Sequence, residues 1–180
     1  MSKRSIFIPL LMVILGLASG CTPVVDPLNA TEVSEQVRVE YDDFKQITYF
    51  WGPTFDHESL EVADAPEVEE LSIHGQRQHD GTEVFTVRVV DFYTGDWRAY
   101  DQAYDSKRNK FHALRVGHYV ACPMHCGYEE GLDIQLPMDY LKSHRTSGIR
   151  LKLYGAYGES APFEIPGTYI DGFLRGSFEK

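Results

Sequence analysis

The chain has 180 residues, with 27 acidic against 17 basic side chains and a formal net charge of −10 at pH 7. That balance argues against nucleic acid and against electrostatic attraction to anionic lipid, which both select an excess of Lys and Arg. At this length one domain is expected, and roughly two thirds of the unfolded surface can be buried, so a core needs neither a metal nor many disulfides.

Lys3 and Arg4 precede an apolar run from Ile6 to Leu17, which closes on the small residues Ala18, Ser19 and Gly20. This is the layout of a secretory signal peptide. A helix of that run rises only ~18 Å, short of the ~30 Å hydrocarbon core, so a spanning anchor is the weaker reading and an ordinary cleaved leader the bland one. Cys21 directly after the small residues resembles the lipobox of bacterial lipoproteins. The resemblance implies a thioether-linked diacylglycerol on Cys21, cleavage before it and acylation of the new amino terminus. Thr22, not aspartate, comes next. By the sorting rule of enterobacterial lipoproteins this implies the outer membrane, facing the periplasm, in preference to the inner membrane. Lys3 and Arg4 are the only charged residues of the leader, so its removal takes the net charge from −10 to −12. Attachment then rests on the acyl chains, at about 0.8 kcal/mol per buried methylene.

Three regions follow from this reading: a signal peptide over residues 1–20, a flexible tether over 21–36 and a single β-rich domain over 37–180. Thr22 to Gln36 has two prolines and no sustained period, and as a coil it would average about 20 Å. Asn29-Ala30-Thr31 matches a glycosylation pattern to which a bacterial lipoprotein gives no meaning.

From Val37 the pattern is mostly strand. Phe44 to Trp51, Val68 to Arg77 and Thr82 to Tyr93 are rich in aromatic and β-branched residues, and Asp80-Gly81 between the last two signals a hairpin. Trp97 to Asp105 fits a helical stripe as well as one strand face; a strand is expected. Phe111 to Cys122, Glu130 to Leu136 and Ile149 to Tyr154 complete the set. The last has Ile149, Leu151 and Leu153 on one face and Arg150, Lys152 and Tyr154 on the other, a half-buried alternation. Two short helices are expected, at Pro137 to His144 and at Thr168 to Phe178, the second with Tyr169, Ile170, Phe173 and Leu174 on its stripe and Thr168 as N-cap. The fold class is therefore mainly β: an antiparallel β-sandwich or partly closed barrel with two short helices.

Cys122-Pro123-Met124-His125-Cys126 is the one local motif with chemistry in it. In an oxidising compartment two nearby cysteines usually join, and a turn through Pro123 and Gly127 would bring Cys122 and Cys126 to disulfide distance at a hairpin tip. The competing reading is a metal or redox site built from Cys122, His125 and Cys126 with His118 upstream. Zinc sites usually add a second matching pair, and Cys21 is spent on lipid. His57, His74, His79, His112 and His144 are scattered and read as surface or core residues. The acidic stretch Asp56 to Glu70 has no glycine for a calcium loop and reads as a solvated loop. There is no nucleophile elbow, zincin helix, phosphate loop or dinucleotide fingerprint, so no catalytic residue and no cofactor are assigned. Tyr93 to Tyr104, if left open on a sheet face, would be a protein or glycan contact surface.

The order of lipobox, tether, strands, C-x-x-x-C hairpin, short helix, the Ile149 to Tyr154 strand, Ile165-Pro166-Gly167 and a terminal helix with Gly172-Phe173-Leu174 resembles small proteobacterial lipoproteins. That group carries no activity to transfer. The expected role is a lipid-anchored envelope protein with a non-enzymatic binding or structural function, its partners the membrane through the anchor and an envelope protein or glycan.

Overall fold

The computed structural model describes residues 25–56, 68–122 and 126–179. The signal peptide, Cys21, His57, most of the acidic stretch and His125 lie outside the described residues. The elements in chain order are α1 (Ala30–Gln36), β1 (Arg38–Asp42), β2 (Ile47–Trp51), β3 (Phe55–Asp56), β4 (Val68–Gln78), β5 (Glu83–Tyr93), β6 (Tyr100–Asp105), β7 (Lys110–Ala121), β8 (Gly127–Leu136), α2 (Met138–Ser143), β9 (Ile149–Gly155), β10 (Phe163–Ile165) and α3 (Gly167–Phe178). No helix among the described residues is long and apolar enough to cross a membrane.

The strands form one antiparallel sheet in the order β1-β2-β4-β5-β8-β7-β6-β9-β10, with β3 paired to β4. The mainly β, antiparallel class is as expected; where a sandwich or partly closed barrel was expected, the strands form one sheet that is not closed. Asp80-Gly81 makes the expected hairpin: Gln78 N–H donates to Thr82 O, Gly81 N–H donates back to Gln78 O, and Gly81 takes the left-handed φ of +85° that glycine tolerates. Strand periodicity assigns the faces. Phe85, Val87 and Val89 on β5 share the buried face with Leu132, Ile134 and Leu136 on β8, their register partners. Ile149, Leu151 and Leu153 are buried on β9 as their alternation predicts.

Three helices are present, not two. Helix α3 lies on the buried face, with Tyr169, Ile170, Phe173 and Leu174 all inside. Tyr169 Oη donates to Pro53 O at 2.5 Å and accepts from Ile73 N–H at 3.2 Å, fastening the helix to β4 and to the end of β2. Its N-cap position is Pro166; Thr168, expected there, sits inside the first turn and donates its hydroxyl to Pro27 O at 2.8 Å.

The flexible tether over 21–36 is corrected by the structure for residues 25–36. Val25 and Val33 are buried, Val25 N–H reaches Thr54 O at 3.5 Å, and α1 packs along α3. Asn29 is the N-cap of α1, its Oδ1 accepting from Glu32 N–H at 3.2 Å. The apparent glycosylation motif is thus a helix start. Two glycines of α3 make the packing possible. A Cβ on Gly172 would lie 2.6 Å from Ala30 O and from Val33 Cβ, and one on Gly176 would lie 2.6 Å from Ser34 O and from Val37 Cβ. Composition alone hides this contact, because glycine in a helix reads as a weakness.

Substituting Gly172→Val should force α1 off α3. Overpacking of this kind costs about 1–3 kcal/mol, so Tm should fall by roughly 3–10 °C. Proteolysis within residues 25–37 should appear in the variant and be absent from the parent; an unchanged melt and cleavage pattern would refute the seam.

Candidate functional site

Two polar sites stand on opposite faces of the sheet. The first is buried. Asp91 on β5 and Glu130 on β8 are register partners, both on the core face and both 0% exposed. Like charges directly opposite each other repel, and burial adds a desolvation cost, so this pair needs dense compensation. Tyr93 Oη donates to Glu130 Oε1, and Tyr100 Oη donates to Asp91 Oδ2 at 2.7 Å. Ala99 N–H and Tyr100 N–H donate to the two oxygens of Glu130 at 2.9 and 3.2 Å. Arg115 Nε stands 3.2 Å from Glu130 Oε2, and Arg98 Nη1 stands 3.7 Å from Asp91 Oδ2. The Arg98 guanidinium also covers the Tyr93 ring, 4.1 Å from its centroid.

The local backbone explains how these groups meet. A bulge between Arg115 and Gly117 re-aims β7 beside Glu130. The link from β5 to β6 turns back over the core, where Ala99 takes a φ of +54° and is held there through its N–H on Glu130. Burial, reinforced by the neighbouring carboxylates, raises the phenol pKa values of Tyr93 and Tyr100 well above the ordinary value, so both stay protonated donors. Such an arrangement locks a loop. Protonated near neutral pH, its tyrosines offer hydrogen-bond donors and almost no phenolate.

The second site is open. Residues of the other parity, facing away from α1 and α3, line a shallow cavity of about 250 Å³ that includes Tyr49, Trp51, His74, Gln76, Arg88 and Asp133. Tyr49 and Trp51 stack at 6.1 Å between centroids, and Trp51 meets the His74 ring edge-on at 4.8 Å. Arg88 grips Asp133 with two parallel hydrogen bonds of 2.8 Å. Ser72 Oγ lies 3.1 Å from His74 Nε2. This has the look of a nucleophile and its base. Desolvation first, and then the Arg88 charge, lower the His74 pKa from 6.5 to about 4, which makes the imidazole a weak base. Asp133 is occupied by Arg88, and no carboxylate among the described residues hydrogen-bonds His74.

Farther along the same face, β7 presents Leu114, Val116 and Tyr119, which are 58%, 47% and 54% exposed. Gly131 on β8 and Gly117 on β7 pair beside them, and a Cβ on Gly117 would meet nothing within 4 Å. Val116 Cγ2 reaches over Gly131, 3.5 Å from where a Cβ would stand, and the surface above Gly117 is open. Tyr119 Oη donates to Glu129 Oε1 across the strand pair.

The predicted site residues distribute as follows. Cys122 and Cys126 stand at disulfide distance, with Cα atoms 4.0 Å apart at the β7–β8 tip. His118 is exposed on β7, its ring 5.5 Å from that of Trp97. No cluster of three or more His, Cys, Asp or Glu able to hold a metal occurs among the described residues. His79 and His112 are exposed; His144 turns Nδ1 to Tyr140 O at 2.7 Å. Tyr93 and Tyr100 are buried, which corrects the idea of a contact surface over Tyr93 to Tyr104; the network above accounts for them. Asp91 and Glu130 carry a signal in the sequence: each has the strand parity of buried aliphatic neighbours, and an acid on an apolar face marks a buried polar site. Neither a family model nor a curated protein nor a solved structure matches this chain.

Two predictions follow from these geometries. Tyr93→Phe removes a donor from buried Glu130 and an acceptor from Arg98 N–H, 3.0 Å away; unfolding by urea should show a loss of about 1–3 kcal/mol, and no loss would contradict the lock. The second concerns His74, whose folded pKa lies below its unfolded value. The unfolded chain therefore binds the extra proton between about pH 4 and 6.5, so stability from this residue is full above pH 6.5 and declines as pH falls toward 4. The loss should be on the order of 2–3 kcal/mol, and His74→Gln should flatten that part of the stability profile; an unchanged profile would show that His74 is not desolvated.

Proposed function

We propose that this chain is a lipid-anchored protein of the cell envelope that docks a partner protein on the open face of its sheet and performs no covalent chemistry. The anchoring half rests on the leader and Cys21, by resemblance to lipoproteins, with the outer membrane as the favoured site. The docking half rests on one observation: Leu114, Val116 and Tyr119 stand exposed on the open side of a strand inside the sheet, beside the paired glycines Gly117 and Gly131. Isolated surface apolar residues are ordinary, but a strip rimmed by polar pairs marks an interaction site. Here the rim is Arg88 with Asp133 beside Leu114, and Glu129, which accepts from Tyr119 Oη, at the other end. Such a strip resembles the apolar centre and polar edge of protein interfaces.

The Cys122 and Cys126 geometry supports a staple that holds the tip of β7 and β8, the strands that carry the strip. Titration of protein taken from the envelope should find no free thiol until a reductant is added. Two free thiols with stoichiometric zinc or copper would replace the docking reading with a metal module on Cys122, Cys126, His125 and His118.

The docking reading is tested by a photo-crosslinking amino acid placed at position 114 or 119 in intact cells. A discrete adduct should form from both positions and none from His79, which is exposed on the turn between β4 and β5. A central apolar contact contributes more than 1 kcal/mol, so Leu114→Asp should cut capture through position 119 by about tenfold. Equal labelling from all three positions, or none from 114 and 119, would overturn the reading.

A further inference from the structure

The docked N-terminal segment sets how far the domain can stand from its anchor. Val25 is buried and bonded to Thr54 O, and Pro27 O accepts from Thr168 Oγ1. Only four peptide steps separate Cys21 from Val25, and four residues span at most about 14 Å however they are arranged. A coil of the length expected from the sequence would average about 20 Å; the docked segment leaves a reach of at most about 14 Å.

We infer that the domain sits directly on the bilayer, with the Val25, Leu28 and Thr54 end against the lipid head groups and the strands β2 and β4 leading away from them. The inference rests on the lipid anchor proposed above. The docked end offers Leu28, 58% exposed, with Asn29, Thr31, Thr54 and Thr168. Asp26, Asp56 and Glu70 stand at the same end, so the seating follows from the short reach and not from charge. The distance between the two ends is set by β4: Phe55 pairs with Leu71, and seven further residues lead to Gln78, about 23 Å of strand. With the strands leading away from the surface, the Leu114 to Tyr119 face looks sideways, toward a neighbour on the same membrane.

The test uses the full chain, expressed with its leader and purified with lipid verified on Cys21 by mass. A fluorescent amino acid replaces Thr54 or His79, both exposed, and the protein is reconstituted in phosphatidylcholine vesicles that carry a spin label on the head group. Position 54 should lose most of its emission and position 79 should keep it. Inserting a Gly/Ser run of about 15 residues between Thr22 and Val25, with an average span near 20 Å, should restore emission at position 54. Equal emission from both positions, or no response to the insert, overturns the seating while the anchor stands. A chain that reaches the envelope without lipid removes the anchor, and the seating with it.

Discussion

The close approach of α1 to α3 is the contact on which the rest of this structure depends. It exists because Gly172 and Gly176 present bare backbone where any side chain would collide with Ala30, Val33, Ser34 or Val37. Beside it, the buried face of an open sheet is covered by α3, and residues 25–37 are fastened along that helix. Helix α1 has seven residues and buries only Val33 of its own, far too little to hold as an isolated helix. Tertiary packing supplies its stability, and in return the helix extends the cover over α3.

A covered face on one side makes the other side informative. The same strands that place Phe85, Val87 and Val89 in the core place Thr86, Arg88 and Val90 on the open face, because successive side chains alternate. Burying Asp91 and Glu130 costs stability wherever their hydrogen bonds are incomplete, and their partners come from β5, β6, β7 and the link before β6. The network therefore ties the half of the sheet that carries α3 to the half formed by β6, β9 and β10. Buried ionic groups are weak evidence for net stability; what they do here is hold one loop path, with Ala99 in a left-handed conformation.

Much of the fold is legible in the sequence. Alternation is clear in Ile149 to Tyr154 and in Thr82 to Tyr93, and the stripe of α3 is clear as well. The hairpin at Asp80-Gly81 is written in two residues. What could not be read is of two kinds. Helix α1 is too short to show a period, and its start signal, Asn29 followed three residues later by Glu32, resembles a loop until its packing is known. The open sheet differs from a closed barrel only through long-range pairing, which single-chain periodicity does not report. The site shows the same division. The cysteines and the anchor motif are local and visible, whereas Arg88 with Asp133, and Asp91 with Glu130, meet across strands about 40 residues apart.

Treating 25–36 as docked rather than free changes what the molecule can do. On the proposed lipid anchor, a loose domain would sample partners in a volume, while a docked one would present its open face close to the membrane. The measurement that bears most directly on this is amide hydrogen exchange over residues 30–37 in the intact protein. The account predicts that the amides hydrogen-bonded within α1, such as Val33 and Val37 N–H, exchange as slowly as those in the middle of α3, because the two helices open together. Complete exchange of α1 while α3 stays protected would contradict it and return the segment to a tether.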